Sequence, residues 1–259
     1  MLLLALDTST RQSSVALCTE DELPGEYVWN AGTNHSVELL GHIQRMLLEN
    51  QLTMEQIDAV AVAIGPGSFN GVRVALSTAK ALAFALKKPL VGVSTLDSIA
   101  AQQQQWRAPI CAILEAGRGE LYAASYLFDE VSDLNGSLTY RMRKLSDYLL
   151  LSPQRLSAYL LEHANEWVGV PGERSLPPFL LCGEISAASR QALHGYMHEN
   201  CLFVPGSQSA RRSSVLAMLA FQRLHNGEED DPLLLEPLYL RRPSITTSTR
   251  KRALLGGVN

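Results

Sequence analysis

Two stretches of the chain gather residue types that hold anions or metals. The first is Asp7-Thr8-Ser9-Thr10, a carboxylate and three hydroxyls directly after the apolar residues 2–6. In a two-lobed fold such a turn can face the cleft and hold a metal or a phosphate. Equally, Asp, Ser and Thr favour turns because their side chains bond their own backbone. The second is Ile64-Gly65-Pro66-Gly67-Ser68-Phe69-Asn70-Gly71-Val72-Arg73, which joins the apolar run 59–64 to the alanine-rich run 72–86. Strand, glycine turn and helix start, in that order, present unpaired N–H groups and the positive end of a helix dipole. The glycines also let one backbone approach another closely. The loop is therefore either an anion site or a backbone-docking turn. On the first reading Asp7, Thr8, Ser9, Gly65, Gly67 and Ser68 are the candidate phosphate or nucleotide residues.

The loop lacks the chemistry of better-known glycine loops. A Walker A loop needs Lys followed by Ser or Thr after its last glycine, but Gly71 is followed by Val72 and Arg73. A nucleophile elbow needs glycines two residues either side of its serine, and Ser68 has Pro66 and Asn70 there. The spacing is one residue too long for a dinucleotide fingerprint. Elsewhere, His194 and His198 are four apart, with Glu199 adjacent, the spacing of two ligands on one helix face. Gly195 between them and the nearby helix end argue against a metal there. His35, His42, His163 and His225 form no ligand pattern. No Ser-His-Asp set is favoured by spacing, so no catalytic residue and no metal site is assigned.

The elements that must position these residues alternate in type. Residues 2–6 and 13–19 read as an antiparallel strand pair around a polar turn, and 26–30 as a third strand. Residues 36–50 have helical spacing, with Val37, Leu40, Ile43, Met46 and Leu47 on one face and Asn34 or Ser36 as cap. Residues 59–64 read as a two-sided parallel strand, 72–86 as a long helix stopped by Pro89, and 90–93 as a strand. A second cycle follows: strands 109–114 and 121–126 around the turn 115–120, a strand 179–182 ended by Gly183, and helices 184–193 and 209–225. The pattern weakens between 130 and 178. Hairpin then α/β, made twice, predicts two related lobes with a cleft between them. The boundaries are 1–105 for the first lobe, 106–225 for the smaller second lobe and 226–259 for a C-terminal segment and basic tail.

The long helix carries Gly71, Ala75, Ala79 and Ala83 at every fourth position. Small side chains along one ridge admit close packing, either on the chain's own sheet or on another subunit's helix. The tail carries Arg241, Arg242, Arg250, Lys251 and Arg252 with no acid among them. It reads as a flexible tail, or as a basic arm that touches RNA phosphates.

Composition bounds the rest. With 259 residues, 46% hydrophobic and 19% charged, the chain is ordinary for a soluble globular protein. A net charge of -4 points to no general polyanion binding. The cysteines at 18, 111, 182 and 201 show no C-x-x-C spacing and fit buried thiols in the cytoplasm. Residues 1–6 are apolar, but Asp7 cuts them short and no basic stretch precedes them, so a signal peptide is not expected. No run approaches the ~18 apolar residues a membrane helix needs, and no membrane association is expected.

Several of these residues match one family. Leu4-Ala5-Leu6-Asp7-Thr8-Ser9-Thr10 and Ser14-Val15-Ala16-Leu17 resemble the start of the bacterial TsaB family, formerly YeaZ. The stretch Gly65-Pro66-Gly67-Ser68-Phe69-Asn70-Gly71-Val72-Arg73 resembles its G-P-G-S-F-T-G-L-R block, and Ala79-Lys80-Ala81-Leu82-Ala83 continues the match. Gly119-Glu120-Leu121-Tyr122 resembles its G-E-V-Y segment and Pro237-Leu238-Tyr239-Leu240-Arg241 its closing P-x-Y-L-R. The resemblance is strong over roughly the first 125 residues and thin afterwards. Asn70 stands where the family has threonine, and Glu115-Ala116-Gly117 where it reads Asp-Ala-Arg, with Arg118 displaced by one.

The resemblance implies an α/β ASKHA fold (actin-like, RNase H-like): two related lobes with mixed sheets flanked by helices. It implies a part in making threonylcarbamoyladenosine in tRNA. The catalyst there is the paralogue TsaD, which holds a metal; TsaB pairs with TsaD, the ATPase TsaE joins through the pair, and ATP is used by the complex. TsaD-like chains carry H-x-x-x-H after a short Gly-Val strand. Here the two histidine places fall on Thr95 and Ile99, and the S-G-G-H turn falls on Glu115-Ala116-Gly117-Arg118. Isoleucine ligates no metal and a lone threonine is a poor ligand for zinc or iron.

The expectation is thus a non-catalytic scaffold or activating subunit, binding no cofactor by itself. It would pair with TsaD, or with a second copy when alone, through helices 36–50 and 72–86. The candidate contacts are His35, Leu39, Ile43, Met46, Gly71, Arg73, Ala75, Ala79 and Ala83. A bulky residue at Ala75 or Ala79 is expected to break the pair and leave the chain folded. The alternative is an ASKHA-type small-molecule kinase or other ATP-using enzyme; a metalloprotease needs a metal site this sequence lacks.

Overall fold

The computed structural model describes residues 1–31, 35–132, 138–168 and 178–241. The first half of the chain forms β1 (Leu3–Asp7), β2 (Gln12–Cys18), β3 (Gly25–Asn30), α1 (His35–Glu49), β4 (Ala59–Ala63), α2 (Phe69–Leu86), β5 (Leu90–Val93) and α3 (Thr95–Ala101). The second forms β6 (Ile110–Gly117), β7 (Glu120–Ser132), β8 (Leu138–Lys144), β9 (Leu149–Leu151), α4 (Pro153–Val168), β10 (Phe179–Glu184), α5 (Ala187–Met197), β11 (Cys201–Phe203) and α6 (Ser213–His225).

Each half builds one mixed sheet. The first has the order β3-β2-β1-β4-β5, the second β11-β10-β6-β7-β8, with β9 paired to β7. The pairing directions correspond. β1 runs antiparallel to β2 and parallel to β4, which is parallel to β5. In the same way β6 runs antiparallel to β7 and parallel to β10, which is parallel to β11. The outer strands β3 and β8 are both antiparallel additions. One five-strand unit is made twice, as the ASKHA expectation of two related lobes requires.

Alternation along the strands sorts the core into layers. Leu4 and Leu6 of β1, Val15 and Leu17 of β2, and Val60 and Val62 of β4 pack against α1 and α2. Their neighbours Leu3, Ala5, Ala16, Ala59 and Ala61 face inward. There they meet Leu216, Ala217 and Ala220 of α6, in a core shared with Ile99 of α3 and Ile110, Ala112 and Ala124 of the second sheet. The second sheet's other face carries Cys111, Ile113, Leu121 and Leu181 against α4 and α5. The result is five layers: α1 and α2, first sheet, α3 and α6, second sheet, α4 and α5. The chain crosses over between the halves, because α6 packs on β1, β2 and β5 while α3 packs on β6, β7 and β10.

Several expected boundaries move, each for a local reason. α2 starts at Phe69, before Gly71, because the Ser68 side chain caps it by accepting from the Gly71 N–H. The polar stretch 115–120 is mostly strand, with an irregularity between Glu115 and Gly117, so the turn contracts to Arg118 and Gly119. β10 continues through Gly183 to Glu184 because both still pair with β6. α5 begins at Ala187, behind the cap Ser186, and α6 begins at Ser213. α3 was not expected; its seven residues are too few to show a period, although Ser94 caps it by accepting from Leu96 N–H. β8, β9 and α4 fill the stretch where the pattern weakens. Asn34, considered as a cap, and the basic residues Arg242, Arg250, Lys251 and Arg252 lie outside the described residues.

Candidate functional site

The turn after β1 and the loop before α2 lie against each other at the mouth between the two sheets. Their glycines explain the contact. A Cβ on Gly67 would collide with the Ser9 carbonyl oxygen, and one on Gly71 with the Thr8 carbonyl oxygen. Ser68 N–H donates to the Ser9 carbonyl at 2.6 Å, and the Thr8 hydroxyl donates to the Gly71 carbonyl at 2.6 Å. The Thr95 hydroxyl donates to the Ser9 hydroxyl at 2.9 Å, and Thr95 N–H donates to the Gly65 carbonyl at 2.8 Å. The loop docks backbone on backbone, and the Ser68 N–H and the Thr8 and Ser9 hydroxyls are engaged in that joint. Asp7, Thr8 and Ser9 are buried. Of the phosphate candidates only Gly67 and Ser68 reach the cleft.

Asp7 has a partner that sequence reasoning missed. Arg211 is 1% exposed, the largest fully buried side chain among the described residues. Its Nε donates to Asp7 Oδ2 at 2.8 Å, while Asp7 Oδ1 accepts from Ser9 N–H at 2.8 Å. Nη1 donates to the Thr10 hydroxyl at 2.8 Å and to Glu184. Thr10 in turn donates to the Glu184 carboxylate at 2.7 Å. The Asp7 carboxylate is thus paired with a cation of its own chain. The sequence around it, Ser-Ala-Arg-Arg-Ser, does not tell which arginine turns inward; Arg212 stays at the surface and pairs with Glu26.

Above this cluster opens a cleft of about 800 Å³. One wall is Thr10, Arg11, Gly67, Ser68 and Phe69 of the first half; the other is Leu114 to Arg118, Tyr122 and Glu184 of the second. Tyr239 and Arg241 close one side. The Phe69 and Tyr239 rings stack at 5.3 Å between centroids, and the Arg73 guanidinium lies 4.9 Å from the Phe69 ring. Burial raises the Tyr239 hydroxyl above its ordinary value, with Arg73 opposing. Arg241 donates to the Ala116 carbonyl at 2.9 Å and pairs with Glu120, tying the C-terminal segment to the second sheet.

The places where TsaD-like chains carry histidines hold no ligand. Thr95 is bonded to Ser9, and Ile99 is 1% exposed within the central core. Near them the Asp97 carboxylate accepts from the Tyr126 hydroxyl at 2.6 Å and from Tyr148 at 3.0 Å. Burial raises its carboxyl above the usual carboxylate value, and the two hydroxyls pull it back. His194 and His198 do not share a helix face: α5 ends at Met197, and His198 takes a left-handed φ of 50°. Among the described residues no three His, Cys, Asp or Glu side chains gather to hold a metal.

The expected partner contacts divide sharply. Leu39, Ile43 and Met46 of α1 and Ala75, Ala79 and Ala83 of α2 are buried in the chain's own core against the first sheet. Gly71 presses on Thr8. The small-residue ridge packs on its own sheet, and all six side chains are buried in the free chain. Arg73 is exposed, and His35 opens α1 with its side chain outside the described residues. What the two helices show to solvent is a different set, led by Leu40, Leu48 and Phe84, with Phe84 77% exposed.

Comparison with known proteins matches residues 29–247 to the family described as TsaD, tRNA N6-adenosine threonylcarbamoyltransferase. The tRNA threonylcarbamoyladenosine biosynthesis protein TsaB of Bacillus subtilis is 34% identical over 128 residues, 49% of this chain and 56% of that protein. The protein of the same name from Escherichia coli K12 is 32% identical over 184 residues, 66% of this chain and 71% of its own length. Among solved structures, YeaZ from Pseudomonas aeruginosa superposes with a TM-score of 0.69 at 27% identity, covering 92% of this chain and 99% of its own. No helix among the described residues is long and apolar enough to cross a membrane.

Proposed function

We propose, since the chain belongs to the TsaB (YeaZ) family, that it serves tRNA threonylcarbamoyladenosine synthesis as a non-catalytic scaffold or activating subunit. The observation that carries this reading is the burial of Asp7 under the Arg211 guanidinium. Thr95 and Ile99 at the histidine places add to it. The fold is kept and the groups that would ligate or transfer are engaged internally. In this reading the chain pairs with TsaD in the cytoplasm, and TsaE joins through the pair. A second copy takes the same face when TsaD is absent.

The pairing face is the outer surface of α1 and α2. Exposed apolar side chains on two adjacent helices are what a partner would cover, and Leu40, Leu48 and Phe84 supply them. Phe84→Asp and Leu40→Asp are expected to abolish co-purification with TsaD while leaving thermal unfolding of the free chain unchanged. Full co-purification of the folded variants would remove this face from the reading.

A second reading, an ATP-using enzyme such as a small-molecule kinase, draws on the open cleft and the start of α2 beside it. ATP turnover by the isolated chain would establish it. Stoichiometric zinc or iron in the purified chain would overturn the non-catalytic reading.

A further inference from the structure

The chain passes from the first sheet to the second through α3 and residues 102–109, and returns through residues 204–212. The second crossing delivers α6 to the inner face of the first sheet. Arg211 lies in that crossing, and each N–H of its guanidinium has an acceptor. On the first-sheet side Nε meets Asp7 Oδ2 at 2.8 Å, and Nη2 meets the Gln12 carbonyl and Asp7 Oδ1, the latter at 3.5 Å. Nη1 meets the Thr10 hydroxyl and, on the second-sheet side, Glu184 at the end of β10. The Arg211 backbone N–H also donates to the Gln12 side chain at 2.7 Å. Thr10 and Glu184 bond each other across the gap and line the floor of the cleft.

We propose that Arg211 is a latch between the two sheets: one guanidinium pins the Asp7–Gln12 turn of the first sheet and Glu184 of the second sheet at a single separation. The planar fork suits this role because its donors have fixed directions, so two bodies bonded to one fork lose their relative freedom. The cleft then has fixed walls, and the two-sheet body behaves as a rigid platform. Nothing in this depends on which protein docks outside.

The test places nitroxide labels on Gln44→Cys of α1 and Gln191→Cys of α5, both exposed positions. The four native cysteines are buried and should not compete for label. Pulsed electron resonance is expected to give one narrow distance for the otherwise native chain and a broadened or shifted distribution in Arg211→Met. Glu184→Ala keeps the Asp7 arm and removes the second-sheet acceptor, so it should broaden the distribution as well, and it serves if Arg211→Met does not fold. An unchanged narrow distance in either folded variant overturns the latch. Amide exchange of the unmutated chain gives an independent reading. The latch requires the amides of Ser9 and Arg211 to exchange as slowly as those of β1; exchange at open-loop rates overturns it. Capture of TsaD by the native chain, measured in parallel, separates a failure of the latch from a failure of the partner assignment.

Discussion

At the residue scale, the glycine block and the opening turn were legible as a pair, but not what joins them. The spacing around Gly67 and Gly71 left anion binding and backbone docking open. The carbonyl oxygens of Ser9 and Thr8, pressed where Cβ atoms would lie, show that Gly67 and Gly71 serve a close backbone contact. Gly71→Ala should therefore cost roughly 2–4 kcal/mol of stability, since a methyl group must displace main chain. Gly41→Ala is the control. Gly41 sits in α1 with nothing within 4 Å of a Cβ. That change should stabilise by about 0.5–1 kcal/mol through helix propensity. Urea unfolding of the two variants measures both signs. Asp7→Ala strands a buried guanidinium, and removing one member of a buried pair typically costs about 3–5 kcal/mol. A midpoint shift below that of an ordinary surface substitution would mean that Arg211 finds water or another acceptor. The pairing itself was not legible, because Asp7 and Arg211 are 204 positions apart and no local pattern marks an arginine that will be buried.

At the element scale, legibility followed length and amphipathicity. α1 and α2 were readable because each buries one stripe of apolar residues. Sequence alone does not tell a chain's own sheet from another subunit, and the burial of Ala75, Ala79 and Ala83 places that stripe on the sheet. Ala79→Leu should consequently destabilise the free chain by about 1–3 kcal/mol by overpacking α2 on the sheet, and calorimetry of the free chain checks it. α4 carries a helical signal within a stretch whose overall pattern is weak: Leu156, Leu160, Ala164 and Trp167 fall on one face and are all buried. α3 gave no such signal, yet it places Asp97 between two tyrosine hydroxyls. Because burial raises the Asp97 carboxyl in the folded chain above its ordinary 3.8, the unfolded chain releases that proton first. Between the two values the folded state binds more protons, so stability falls as pH rises. Relative to the native chain, Asp97→Asn should gain stability as pH rises from about 4. Unfolding midpoints of both proteins measured across that range check the sign, and a constant difference would mean that Asp97 ionises alike in both states.

At the scale of the whole molecule, the duplication was legible because each half repeats hairpin, helix and parallel strand in one order. The crossover of helices was not, since it belongs to neither half's local pattern. Its consequence is that the first 105 residues do not contain the cover for their own sheet. Leu3, Ala5, Ala16, Ala59 and Ala61 are each 0% exposed in the whole chain, and their inner face is covered by Leu216, Ala217 and Ala220 of α6. The outer strand β5 depends on the C-terminal segment as well. Asp230 accepts from Gly92 N–H at 2.7 Å, and Leu235 packs over Gly92. A fragment of residues 1–105 would expose that whole inner face, and apolar surface contributes about 25 cal/mol per Å² when buried. Folded domains retain only about 5–15 kcal/mol of net stability, so the loss of one covered face is expected to leave the fragment without a cooperative transition. Circular dichroism and calorimetry of the fragment test this. A fragment extended to residue 241 with 106–203 replaced by a flexible linker restores α6 and the C-terminal segment that holds β5. It should recover a cooperative melt if the inner-face cover is what the short fragment lacks. A sharp melt of residues 1–105 alone would show that the first sheet stands without α6, and the five-layer body would then be two separable domains.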